Sequence, residues 1–239
     1  MIGTAPTPTG APAFSDRPIP VIEIRRASRL YDMGGLTVPA LVEADLRVEQ
    51  GEFLAIVGPS GSGKSTALHL AAGLDEPSAG DVISLGRSLA RVDDAELADY
   101  RARDIAIVFQ SGNLWPTLST HENIGLTLRL AGKEGTRAAV ADALTRFGLD
   151  RRESQRAGSL SGGEQQRLAI AGAAAREARL VLADEPTAEL DERNERIVLD
   201  AFRTLRDDLR STVVIVTHSE RVAEAVDRVI EIRDGAAAA

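Results

Sequence analysis

Residues 58–65 read GPSGSGKS, a run of glycines and hydroxyls that ends in one lysine and one serine. The pattern G-x-x-x-x-G-K-S suits phosphate chemistry. Gly58, Gly61 and Gly63 let successive backbone N–H groups turn inward onto an anion, and a helix starting near Lys64 adds its positive end. Pro59, Ser60, Ser62 and Thr66 complete the cradle. Lys64 is placed to reach the β- and γ-phosphates, and the Ser65 hydroxyl to bind Mg²⁺. Of 28 basic residues only Lys64 and Lys133 are lysines. A compact ammonium fits among crowded backbone amides where a planar guanidinium does not. The stretch predicts a nucleotide site.

Phosphoryl transfer also needs a metal ligand and an oriented water. In LVLADEP, Asp184 and Glu185 end an apolar run; Asp184 could hold Mg²⁺ opposite Ser65, and Glu185 could polarise the water. Gln110 follows IAIVF and His218 follows STVVIVT, so each also sits at the end of a buried strand. An amide there could contact the metal or the water, and an imidazole the γ-phosphate; a strand terminator and a structural donor are the plainer readings. Tyr31, in RLYDMGG, could stack on an adenine ring or simply be a partly buried surface tyrosine.

A second glycine turn, LSGGEQQR, lacks a lysine. Ser161 and Glu164 have the spacing of a capping box. That leaves Gly162 and Gly163 unexplained, since each costs up to about 1 kcal/mol against alanine in a helix. The expectation is close approach of an anion to a helix start. One chain then has a surplus anion site, and a second copy could present its LSGG to the first copy's γ-phosphate in a two-fold sandwich.

These residues need strands that end together at one edge of a sheet. Short apolar runs at 53–57, 104–109, 179–184 and 211–217 read as strands buried on both faces, and 227–232 as a final strand. Residues 21–26 and 38–48 read as an antiparallel opening sheet, and 64–72 as a helix that Gly73 ends. Residues 111–176 read as an inserted helical subdomain. The fold class is therefore α/β: a mixed sheet flanked by helices, with an antiparallel β subdomain. The first twenty residues hold five prolines and read as a flexible arm; 21–235 form the domain and 236–239 a short tail.

Composition narrows the partners. There is no cysteine, so disulfides and thiolate metal sites are excluded. A net charge of −8 and 3% aromatic residues argue against nucleic acid as a partner. No run approaches the roughly 18 apolar residues needed to cross a bilayer, so the chain reads as soluble by itself.

GPSGSGKST, Gln110, LSGGEQQR, LVLADEPT and His218 together resemble the ATP-binding-cassette (ABC) ATPases, over residues 21–235. The resemblance implies ATP and Mg²⁺ as cofactors and a P-loop NTPase core. It implies Tyr31 as the adenine-stacking aromatic, Gln110 as the metal-sensing glutamine, Glu185 as the general base, and Ser161 to Glu164 acting in trans on ATP held by a second copy. ADEPT, EQQR and HENI look most like the macrolide-exporter and lipoprotein-release ATPases. Those pair with a separate permease bearing a large extracytoplasmic domain, which would put this chain on the cytoplasmic face of the membrane. The implied cargo class is a lipid, lipoprotein, peptide or drug. The alternatives are force transmission to a cell-wall hydrolase, or an ABC ATPase acting on ribosomes or DNA. Trp115 lies where the family's helical subdomain receives the permease; a core tryptophan is the other reading. Two residues depart from the pattern: Glu189, an acid near the expected dimer seam, and Ser219, where an acid is commoner.

Overall fold

The computed structural model describes residues 20–238; the proline-rich arm falls almost wholly outside them. Two sheets pack face to face across one of two cores. The smaller is antiparallel, in the order β2-β1-β4-β5, from β1 (Ile22–Asp32), β2 (Thr37–Val48), β4 (Ala79–Ser84) and β5 (Arg87–Ser88). The larger has the order β10-β9-β3-β8-β7-β6, from β3 (Phe53–Val57), β6 (Ile105–Val108), β7 (Leu180–Asp184), β8 (Thr212–Val216), β9 (Arg228–Arg233) and β10 (Ala236–Ala238). All its pairings are parallel except β9 with β10.

The continuous apolar strands are apolar because both faces are covered. Phe53, Val181, Ala183, Val213 and Ile215 pack into one core with the helices that follow β6. Their alternate neighbours Leu54, Ile56, Leu180, Leu182, Val214 and Val216 pack into a second core with the antiparallel sheet. Period-two side-chain alternation sends successive residues to opposite faces. That second core also holds α1 (Lys64–Ala71) and α2 (Asp94–Arg103). Gly73 follows α1 at φ 60° as expected of a helix stop.

Between β6 and β7 lies the helical region: α3 (Thr120–Leu130), α4 (Arg137–Arg146) and α5 (Gly162–Ala175). Each start is capped by a side chain, at Ser119, Thr136 and Ser161. The long α6 (Glu192–Leu209) is capped by Asp191, and α7 (Glu220–Ala225) precedes β9. The short tail is more than an appendage. Ala236–Ala238 pair with β9, and the Val42 N–H donates to the Gly235 carbonyl at 2.8 Å.

Candidate nucleotide site

The glycine-rich turn leaves β3 and enters α1 with Gly63 at φ 102°. A Cβ at Gly63 would lie 2.2 Å from the Ala40 carbonyl oxygen, so β2 allows no larger residue. Lys64 is buried, and its ammonium donates to the carbonyls of Gly58 (3.0 Å) and Pro59 (2.8 Å) within the turn. Pro59, Ser60 and Gly61 form an exposed rim, and the buried Ser62 hydroxyl has no partner. Thr66 is half-buried beside Ser65 in the first turn of α1.

Parallel register brings the other strand ends to the same edge. Ala183 pairs with Val108 and Ile215, and Asp184 with Val216. The Ser65 hydroxyl donates to Asp184 Oδ1 at 3.0 Å, although 119 residues separate them. His69, on α1, lies 3.7 Å from Asp184 Oδ2. Glu185 sits in the left-handed backbone region at φ 47°, which a non-glycine residue occupies at a cost. Its N–H donates to the Val216 carbonyl at 2.9 Å. The Glu185 Oε1 lies 3.0 Å from His218 Nδ1, while Oε2 is buried without a partner. A carboxylate with one oxygen steered and the other free can take a proton from a bound water.

Gln110 lies exposed past β6, where its side-chain amide donates to Glu189 Oε1 at 3.0 Å. Its backbone is gripped from α5. The buried Gln166 amide donates to the carbonyls of Phe109 (3.0 Å) and Gln110 (2.6 Å). Tyr31 belongs to a surface cluster: its hydroxyl donates to Asp75 Oδ2 at 2.6 Å, and Arg29 lies 4.8 Å from the ring centroid and 2.7 Å from Asp75.

At the second glycine turn the capping box forms in both directions. Glu164 accepts from the Ser161 N–H and hydroxyl and pairs with Arg152 at 2.8 Å. Burial alone pushes the Glu164 carboxyl up, but the Ser161 backbone and hydroxyl and the Arg152 guanidinium outweigh it and hold the group below its usual range. Part of the glycine requirement is internal. A Cβ at Gly163 would lie 2.9 Å from Asn194 Oδ1, whereas one at Gly162 would meet only the Leu190 side chain, at 3.3 Å. Gly163 thus answers to α6, whereas Gly162 is exposed.

Trp115 is 50% exposed and Leu130 58%, so the core reading of Trp115 does not hold. Sequence reading missed Gln166, His69, Asn194 and Glu195. For Glu195 a signal existed: α6 buries Val198, Leu199, Phe202 and Leu205, and Glu195 continues that apolar stripe one turn earlier.

No described helix is long and apolar enough to cross a membrane. The ABC transporter family model matches residues 41–188. The chain is 41% identical over 218 residues to the lipoprotein-releasing system ATP-binding protein LolD of Shewanella sp. (strain MR-7), covering 90% of this chain and 94% of that one. It is 42% identical to the macrolide export ATP-binding/permease protein MacB 1/2 of Paracoccus denitrificans (strain Pd 1222), over 90% of this chain but 32% of that longer one. Among solved structures, the dimeric post-hydrolysis state of the ATP-binding cassette MJ0796 bound to ADP and Pi superposes with a TM-score of 0.82. The identity is 35%, over 90% of this chain and 95% of that one.

Proposed function

The chain belongs to the ABC transporter ATPases, and from that premise we propose how its residues perform ATP hydrolysis and couple it to a membrane permease. The single observation that carries the reading is a convergence at one sheet edge. Ser65 bonds to Asp184 at 3.0 Å, and the next residue, Glu185, lies 3.0 Å from His218. Lys64 and the N–H groups of the turn from Gly58 to Thr66 bind the phosphates, and Tyr31 offers a ring to the adenine. The hydroxyl of Ser65, the carboxylate of Asp184 and the amide oxygen of Gln110 suit a hard cation. They would hold Mg²⁺, which when bound neutralises charge on the β- and γ-phosphate oxygens. Glu185 orients the attacking water and takes its proton. His218 fixes one carboxylate oxygen and faces the γ-phosphate.

Ser161, Gly162, Gly163 and Glu164 act on the nucleotide of a second copy, so closure of two chains around two ATP molecules completes each site. That closure drives a separate permease, with the chain held peripherally at the cytoplasmic face. The half-exposed Trp115 marks the docking position on the helical region (about 111–176) within a domain of 21–235. The names of the relatives favour release of a lipoprotein or export of a macrolide, within the wider class of lipid, lipoprotein, peptide or drug cargo and with the large extracytoplasmic permease domain that the sequence resemblance implies.

Glu185→Gln tests the mechanism, because the amide keeps the shape and cannot accept the proton. The variant should bind ATP, lose at least about 100-fold in turnover, and accumulate as a closed dimer on gel filtration. Hydrolysis at the wild-type rate would remove Glu185 from the base role.

A further inference from the structure

Glu195 is buried at 5% exposure in the first turns of α6, and the mechanism above does not use it. A buried carboxylate is costly unless it is paired and hydrogen-bonded, so its partners identify what it serves. One oxygen, Oε1, accepts from the Ser219 hydroxyl at 2.8 Å and from the buried Thr187 hydroxyl at 3.4 Å. The other accepts from Arg221 Nη1 at 3.3 Å. Arg221 also pairs with Glu192, and the two acids hold its guanidinium above its usual range, hydrogen bonding by Glu195 first.

The two hydroxyls come from different loops. Thr187 lies two residues beyond Glu185 on the loop after β7, and Ser219 directly follows His218 on the loop after β8. Those loops carry the two halves of the Glu185–His218 contact. Ser219 occupies the N-cap of α7, where a serine ordinarily accepts a helix N–H; here its side chain makes no cap bond and donates to Glu195 instead. The Ser219 N–H is held in turn by the Thr217 hydroxyl at 3.0 Å. Asn194, the neighbour of Glu195 in sequence, packs on Gly163. The first turns of α6 therefore touch both the second glycine turn and the two loops that carry the hydrolytic pair.

We propose that Glu195 is a positioning residue for hydrolysis: through Thr187 and Ser219 it braces the two loops so that Glu185 and His218 stay in register. This rests on the reading of Glu185 and His218 as the hydrolytic pair. Glu195 touches no reacting atom. Its removal lets each loop move without displacing the phosphate cradle, which is anchored on β3 and α1.

The test measures steady-state ATP turnover, affinity for a fluorescent ATP analogue and melting temperature on the full chain. The variants are Glu195→Ala, Glu195→Gln, Ser219→Ala, Thr187→Val and Glu195→Ala/Ser219→Ala. Glu195→Ala should lower kcat at least tenfold while KM and analogue affinity stay within twofold. Glu195→Gln keeps an oxygen for the two hydroxyls and should recover kcat to within about threefold of wild type. Ser219→Ala should cost several-fold alone and add nothing to Glu195→Ala, because coupled residues are not additive. An unchanged kcat in Glu195→Ala, a parallel loss of kcat and affinity, or additive effects in the double variant would each overturn the proposal. If Glu195→Ala does not fold, Ser219→Ala and Thr187→Val decide by the same split between kcat and KM. Glu185→Gln serves as the control. If it hydrolyses ATP normally, the reading of the site fails; if it stalls while the Glu195, Ser219 and Thr187 variants turn over normally, only the brace fails.

Discussion

The Gln110 amide that the mechanism assigns to the metal lies bonded to Glu189, 79 residues away in sequence. An exposed hydrogen bond to a charged acceptor contributes at most about 1–2 kcal/mol. Glu189 therefore holds the Gln110 side chain by its NH2 group and fixes where the amide oxygen points, in addition to placing negative charge near the expected dimer seam. Replacing it with alanine should lower the ATP concentration that gives half-maximal dimerisation, by about two- to tenfold. Analytical ultracentrifugation in the Glu185→Gln background would measure this, and an unchanged midpoint would mean that Glu189 opposes nothing. The other departure from the family pattern, Ser219, meets its acid in space: Glu195 supplies a carboxylate 2.8 Å from its hydroxyl. Neither contact was legible in the sequence, because each joins residues from separate elements. Lys64, Ser65, Asp184 and Glu185 were legible because their motifs are local and their strands end in register.

At the scale of elements, the buried parallel strands could be read from continuous apolar runs, and α3, α4 and α5 from caps and spacing. Strands β4, β5 and β10 and helix α2 escaped. The sequences AGDVIS, RS and AAA carry little alternation, and they become strands only by pairing with β1, β4 and β9. Helix α5 shows what a cap contributes. Glu164 titrates below its ordinary 4.5, so its contribution is present above that value and fades as the pH falls through its lower folded-state pKa. Thermal melts from pH 6 to pH 3.5 should show a smaller loss of stability in Glu164→Gln than in the wild type, the variant starting from a lower melting temperature. Equal pH dependence in both proteins would exclude the cap as a source of acid sensitivity. The helical region also presents Trp115. Because that side chain is half-exposed, Trp115→Ala should leave the melting temperature within about 2 °C. The same variant should reduce co-purification of the permease from detergent-solubilised membranes.

For the whole molecule, a site shared between two chains makes a prediction that a self-contained site does not. On the proposed mechanism, a chain with Lys64→Ala loses its hold on ATP, and one with Gly162→Asp places a carboxylate against its partner's phosphate. Each homodimer should be inactive. Mixing the two should restore part of the wild-type turnover, because one of the two sites in the mixed dimer combines an intact Lys64 with an intact Gly162. If mixing restores nothing, the second glycine turn does not work in trans. The positive φ of Glu185 sets a further condition on the whole fold. That backbone region is reached more easily by Asn or Gly than by Glu, by about 1 kcal/mol or more. Selection for heat resistance alone would then favour replacing the residue proposed as the proton acceptor. This position is where stability and turnover are in direct conflict, and a stabilised variant of this ATPase has to gain its melting temperature elsewhere.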